Sequence, residues 1–428
     1  MKTFSLLSSL ILGLAVLNTF ACSSDSNSSS GNGGSGGGGG VAGQSNSGGV
    51  AGATGDVSEH TYNYDDPNIV YSGRILFSAD KAPRFSAPAT TITARFKGIG
   101  ASMKVLDGAS TSNYFDVIID DDYENATKVM ADGTISLASN LPYGEHKVSI
   151  VKRTEANTGS VDFKGFVFQG EILPPPPALT RKIEIIGDSI SVGSGNEALN
   201  GSANCNEDYG RPYSNASKSW GPMVARQLKA EYHVTAVSGI GALRNYNCSD
   251  MNTMPLVYDR TFVERADSPV YDHSQFVPDA VLMILGTNDF SPAGCMRPAL
   301  NETVDPTNYA AYIEKLSAFL TTLRGYYPNA EFFLISSPML HDGWPDATYT
   351  SDTSHRAAIT QVAADLNATD VGAGKIHVIS ADYSKTKITG RGCGTHPNVF
   401  EHSIMAGTEA SAVSPELILN PVKAVMGW

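Results

Sequence analysis

The chain has 428 residues, with 30 Lys and Arg set against 43 Asp and Glu, for a net charge of −13. That balance argues against binding to nucleic-acid phosphates, which needs clustered cations. The length leaves room for two or three domains.

Residues 1–21 read as a signal peptide. Lys2 supplies the basic start, and residues 6–17 supply an apolar core too short for a comfortable membrane span. Thr19-Phe20-Ala21-Cys22 resembles a bacterial lipobox, which makes Cys22 the expected lipidated residue. An ordinary signal cut near Ala21 is the alternative. Residues 22–60 are rich in Ser, Gly, Asn and Ala and lack apolar periodicity, so they cannot bury enough surface to offset their ordering entropy. They are expected to form a disordered tether, with membrane attachment only through Cys22.

Residues 61–172 change texture. Short alternating runs at 69–71, 75–77, 91–96, 102–105, 114–119, 146–151 and 163–168 are punctuated by Gly, Pro, Asp and Asn. This is the pattern of an all-β sandwich or jelly roll. Asp120-Asp121-Asp122 is expected to be a solvated turn, because a calcium loop needs spaced oxygen ligands. Four prolines, Pro174 to Pro177, then mark a semi-rigid joint over residues 173–180.

From residue 181 onward strands and helices alternate. Runs at 183–186, 233–237, 280–285, 332–335 and 376–379 are mostly continuous and apolar, as strands buried on both faces of a parallel sheet should be. Apolar stripes at Trp220, Val224 and Leu228 and at Tyr309, Ile313, Leu316, Leu320 and Leu323 predict helices, with a further helix over 352–368. The expected fold is a three-layer α/β/α domain over residues 181–428 with a parallel five-stranded sheet.

Four polar motifs follow the strand ends: Gly187-Asp188-Ser189, Ser238-Gly239, Gly286-Thr287-Asn288-Asp289 and Gly392-Cys393-Gly394-Thr395-His396. In an open α/β sheet, loops at the carboxyl ends of the strands share one crevice. Ser189 is the candidate nucleophile and His396 its base. The Ser189 and Gly239 backbone N–H groups and the Asn288 amide are the candidate oxyanion donors. No metal or cofactor is expected.

With these motifs the second half resembles the SGNH (GDSL-type) hydrolases. The β segment, the proline joint and the stretches Tyr143-Gly144-Glu145-His146 and Lys152-Arg153-Thr154-Glu155 resemble carbohydrate esterase family 2, acetylxylan esterase-like. The resemblance implies removal of acetyl groups from plant polysaccharides such as xylan and glucomannan through an acyl-enzyme. The implied partner is an acetylated polysaccharide or oligosaccharide, and the protein is expected to be exported and monomeric. Rival readings are a non-catalytic carbohydrate-binding lipoprotein, a lipase, or an O-acetylesterase for another substrate.

One position departs from the pattern. Most SGNH enzymes carry Asp three residues before the histidine, where this chain has Cys393. A backbone carbonyl is therefore expected to orient His396, giving a Ser-His dyad, with Asp382 as a distant rival. Cys205–Cys248 and Cys295–Cys393 are the expected disulfides. Trp344 is a candidate sugar platform or a packed loop residue.

Overall fold

The computed structural model describes residues 55–79, 81–108, 112–198, 205, 211–248, 252–291, 309–343, 347, 349–381, 383, 388–408 and 417–428. Its first half is all β. The strands are β1 (Glu59–Asn63), β2 (Val70–Ser72), β3 (Leu76–Ser78), β4 (Lys81–Phe85), β5 (Thr91–Asp107), β6 (Tyr114–Ile119), β7 (Thr127–Met130), β8 (Gly133–Ala138), β9 (Gly144–Lys152) and β10 (Val161–Leu173). They form one antiparallel network running β3-β4-β10-β5-β9-β6-β7, with β1 added on β10 and β2 and β8 on β5.

The sequence predicts two strands at 91–96 and 102–105, but the structure joins them in β5, which is 17 residues long. Gly98 and Gly100 interrupt the apolar alternation without ending the strand. There β5 changes partner, from β9 over Thr91–Gly98 to β8 over Ala101–Val105. The enclosed core is aromatic: Phe85, Phe96, Phe115, Phe163, Phe166 and Phe168 have no exposed surface. Phe96 stacks on Phe168 with ring centroids 4.6 Å apart.

The Asp120 turn behaves as a turn. Asp120 and Asp121 take positive φ, Asp120 accepts from His146 Nδ1 and the Lys147 backbone N–H, and Asp122 accepts from Asn125. Its carboxylates are spent on protein donors, and among the described residues no cluster of three or more His, Cys, Asp or Glu has the arrangement of a metal site.

The second half carries β11 (Arg181–Gly187), α1 (Trp220–Gln227), β12 (Ala230–Ala236), α2 (Met254–Val257), β13 (Ala280–Ile284), α3 (Ala310–Tyr326), β14 (Glu331–Ile335), α4 (Ser351–Asn367), β15 (Ile376–Ile379), α5 (Val399–Ala406) and α6 (Leu419–Met426). The five strands are parallel, in the order β12-β11-β13-β14-β15. The period of two sorts each strand between two cores. Ile183, Ile185, Leu282 and Ile284 pack with α1, α5 and α6, whereas Ile186, Val281 and Met283 pack with α2, α3 and α4. This is the three-layer arrangement expected from continuous apolar strands.

Glu184 is the exception in β11. It is buried, and Arg74 from the β half answers it. Arg74 Nη2 donates to Glu184 Oε1 at 3.1 Å, and Thr235 and Tyr258 hydroxyls donate to the same carboxylate at 2.8 and 2.6 Å. The guanidinium also lies over the Tyr258 and Tyr271 rings. Ala89, Ile118 and Val151 of the β half join the core of the α/β half. The described residues from 55 onward thus form one body, with side-chain packing between its two halves.

Candidate active site

Ser189 stands just past β11. Asp188 Oδ1 accepts from the Ile190 N–H at 3.0 Å, and the carbonyls of Asp188 and Ser189 accept from Val192 and Ser194. These bonds wind the chain into a tight turn that carries the serine out of the sheet. Glycine is required at 187 because a Cβ there would lie 2.1 Å from Ser191 Oγ. Burial lifts the Asp188 carboxyl to about 7, against hydrogen bonds that lower it.

Gly239 follows β12 with φ +80, and its carbonyl accepts from Tyr246 N–H at 2.8 Å. Asn288 follows β13. One of its amide N–H groups donates to the Ile240 carbonyl at 2.7 Å, which fixes the side chain and leaves the second N–H for a ligand. Asp289 anchors the same loop: its carboxylate accepts from the N–H groups of Ala242, Leu243 and Arg244 at 3.0, 2.7 and 2.9 Å. Asn288 and Asp289 together therefore hold the chain that carries Gly239.

His396 lies in a loop built around Glu401. The Glu401 carboxylate has no exposed surface and accepts from the N–H groups of Thr389, Arg391 and Asn398. Asn398 returns the bond to Glu401 N–H, completing a capping box at the start of α5. Within the loop, His396 Nδ1 donates to the Cys393 carbonyl at 2.9 Å. That bond leaves Nε2 unprotonated, the tautomer a base needs. Burial depresses the His396 pKa, opposed by the Cys393 and Gly394 carbonyls and by the charge of Glu155.

Ser189, Gly239, Asn288 and His396 line one cavity of about 510 Å³, with Glu155, Asn157, Tyr246, Met339 and His341 among its other walls. Neither the Ser189 nor the Gly239 backbone N–H is spent on an acceptor among the described residues. The cavity thus gathers an alcohol, an imidazole and three N–H donors, the set required to attack an ester carbonyl and hold its oxyanion.

The expected disulfides are corrected. Cys393 bonds to Cys205, with Cα atoms 5.6 Å apart, in place of both Cys205–Cys248 and Cys295–Cys393. The reason is local packing. Cys393 N–H donates to the Gly195 carbonyl at 3.1 Å, so the histidine loop lies against the segment that follows Ser189 and leads to Cys205. Cys248 is also in a disulfide. Cys22, Cys295, Trp344 and Asp382 lie outside the described residues.

Sequence reasoning quoted Glu155 and Asp289 within motifs but gave neither a supporting role, and it missed Glu401. For Glu401 a signal exists, since Asn398-Val399-Phe400-Glu401 has capping-box spacing. For Glu155 no local signal marks a contact with a loop that far along the chain.

Both halves of the chain match known families. Residues 71–177 match the Carbohydrate esterase 2 N-terminal family, and residues 185–400 match the GDSL-like Lipase/Acylhydrolase family. The chain is 31% identical over 372 residues to the cellulase/esterase CelE of Acetivibrio thermocellus, covering 86% of this chain but 41% of that protein. It is 30% identical over 289 residues to an acetylxylan esterase/glucomannan deacetylase of Cellvibrio japonicus, covering 66% of this chain and 75% of that one. A family two carbohydrate esterase from Clostridium thermocellum, solved in complex with cellohexaose, superposes with a TM-score of 0.70 at 29% identity, covering 84% of this chain and 99% of that one. With both halves matched, the chain belongs to the GDSL-like acylhydrolases of carbohydrate esterase family 2 and is a carboxylic ester hydrolase.

Proposed function

We propose that this chain removes O-acetyl groups from plant cell-wall polysaccharides of the xylan and glucomannan type, as an exported protein held to the cell envelope through Cys22. The observation that carries the reading is the shared cavity of Ser189, Gly239, Asn288 and His396, with His396 Nδ1 committed to the Cys393 carbonyl. The substrate class follows the relatives: one is named for acetylxylan and glucomannan, and another was solved with a cello-oligosaccharide bound.

The chemistry follows from the geometry. Ser189 Oγ attacks the acetyl carbonyl as its proton passes to His396 Nε2. The oxyanion is held by the Ser189 and Gly239 N–H groups and the Asn288 amide. When the tetrahedral intermediate collapses, the sugar oxygen leaves with the proton from His396, and the acetyl group stays on Ser189. Water, deprotonated by the same imidazole, then releases acetate and restores the serine. The carbonyl of Cys393 holds the ring in one tautomer but carries no full charge, so it stabilises the imidazolium less than a carboxylate would.

Acetate release from acetylated xylan and glucomannan tests the reading, with Ser189→Ala and His396→Ala as controls. Each variant should lose at least about three orders of magnitude in kcat, on the scale of nucleophile or base removal in serine hydrolases. A Ser189→Ala protein that kept a tenth of wild-type turnover would sink it.

A further inference from the structure

The β half of the molecule reaches into the hydrolytic cavity through Glu155 and Asn157, and Glu155 is the one that brings a charge. It follows β9 and leads into the turn before β10, yet it lines the cavity with Ser189 and His396. The segment is held firmly. Lys152 is fully buried, which lowers its pKa to about 7, and its Nζ stands 2.8 Å from the Thr154 carbonyl, 3.2 Å from the Thr154 hydroxyl and 2.9 Å from the Glu155 carbonyl. Its hydrogen bonds fix the backbone on which Glu155 stands. Thr154 Oγ1 in turn donates to Asn113 Oδ1 at 2.8 Å, tying the segment to the sandwich.

The Glu155 side chain faces two parts of the machinery. Oε2 accepts from the Ser238 backbone N–H at 3.2 Å, one residue before the oxyanion donor Gly239. Its negative charge also acts on the His396 ring. Three other titratable groups among the described residues belong to this neighbourhood. His402 on α5 is kept neutral, its pKa pressed down to about 3 by burial and, less, by the charge of His396. His341 lies on the cavity wall, and Asp188 is buried beneath Ser189. Among the described residues Glu155 is thus the carboxylate whose charge bears on His396.

We propose that Glu155 is a positioning residue for the acyl transfer, supplied by the β half to replace part of what the absent carboxylate at position 393 would do. This rests on the esterase reading above. Its charge favours the imidazolium formed as Ser189 attacks, and its hydrogen bond to Ser238 holds the Gly239 N–H in register for the oxyanion. The sandwich is then part of the catalytic unit and not only an appendage beside it.

The test uses the full chain with Glu155→Gln and Glu155→Ala, reading kcat, KM, thermal unfolding and the His396 pKa by NMR. The NMR titration is run in the Ser189→Ala background, so it does not depend on turnover. Glu155→Gln keeps an acceptor for Ser238 but removes the charge. It should lower kcat about tenfold with KM little changed, and lower the His396 pKa by about one unit, the lower end of what a nearby opposite charge contributes. In kcat/KM the acidic limb should move to lower pH, because the base then stays unprotonated further down. Glu155→Ala should lose about a hundredfold, since the Ser238 N–H also loses its acceptor. A His396 pKa unmoved in both variants, or a loss of rate that only tracks lost thermal stability, would overturn the proposal while the Ser189→Ala result upheld the esterase reading. Absence of esterase activity in the wild type would overturn both.

Discussion

Replacing Gly394 by alanine isolates the part played by the histidine loop. Gly394 has φ +56 and ψ 37, and Thr395 after it has φ +63. Two successive left-handed residues turn the chain so that the Cys393 carbonyl meets His396 Nδ1. An alanine in that conformation costs about 1–2 kcal/mol. Its Cβ would stand 3.6 Å from Nδ1 and 3.9 Å from Cε1, an ordinary van der Waals contact, so the penalty is conformational rather than steric. If the loop relieves the strain by leaving this turn, the oriented fraction falls by the matching factor, about 5–30-fold. The ceiling is the roughly ten-thousand-fold loss seen when a serine protease histidine is held in the wrong tautomer. Initial rates on 4-nitrophenyl acetate and acetylated xylan should show the fall in kcat with KM steady, and thermal unfolding should change little. A kcat within twofold of wild type, with global stability lowered by the full strain, would refute the reasoning. It would mean the loop holds its shape and the penalty falls elsewhere.

Asn288→Ala removes one of the proposed oxyanion donors and should lower kcat by about 10²–10³-fold. It also deletes the 2.7 Å bond to the Ile240 carbonyl, so a small loss of stability in urea should accompany it. Arg74→Met strips the counter-charge from buried Glu184 and should cost about 3–5 kcal/mol in urea unfolding, with both halves losing structure together. Arg74→Met with Glu184→Gln should recover much of that, and a single-variant loss below about 1 kcal/mol would contradict the account. Acid should destabilise the fold through its buried histidines. His355 and His402 are driven down to about 4 and about 3 by burial, so the folded state holds them neutral while the unfolded chain protonates near 6.5. Their contribution is fully present above pH 6.5 and is lost as pH falls toward 4. Each unit costs about 1.4 kcal/mol per histidine. Replacing His355 by Gln should flatten that slope in unfolding free energies measured from pH 7 to 4.

Much of this architecture is written in local patterns. Continuous apolar runs such as 183–186 and 280–285 announce strands buried on both faces, and the stripe from Tyr309 to Leu323 announces α3, because burial in a layered fold imposes its period on the sequence. The long β5 was not legible as one strand, since Gly98-Ile99-Gly100 looks the same whether a strand ends or changes partner.

Within the site, the sequence by itself put Ser189, Gly239, Asn288 and His396 at one rim, where all four line one cavity, because a buried parallel strand must deliver its following residues to one edge of the sheet. It also determined that an acid was missing three residues before the histidine. The sequence pointed to a backbone carbonyl in its place, but only the tertiary structure decided which carbonyl meets Nδ1, that of Cys393, and that Glu401 gathers the loop while Glu155 lines the same cavity from the β half. The same holds for Cys205–Cys393, whose residues are 188 apart in sequence. Periodicity records which face of an element is buried, whereas a contact between distant loops depends on how whole layers pack, and no short window of sequence contains that.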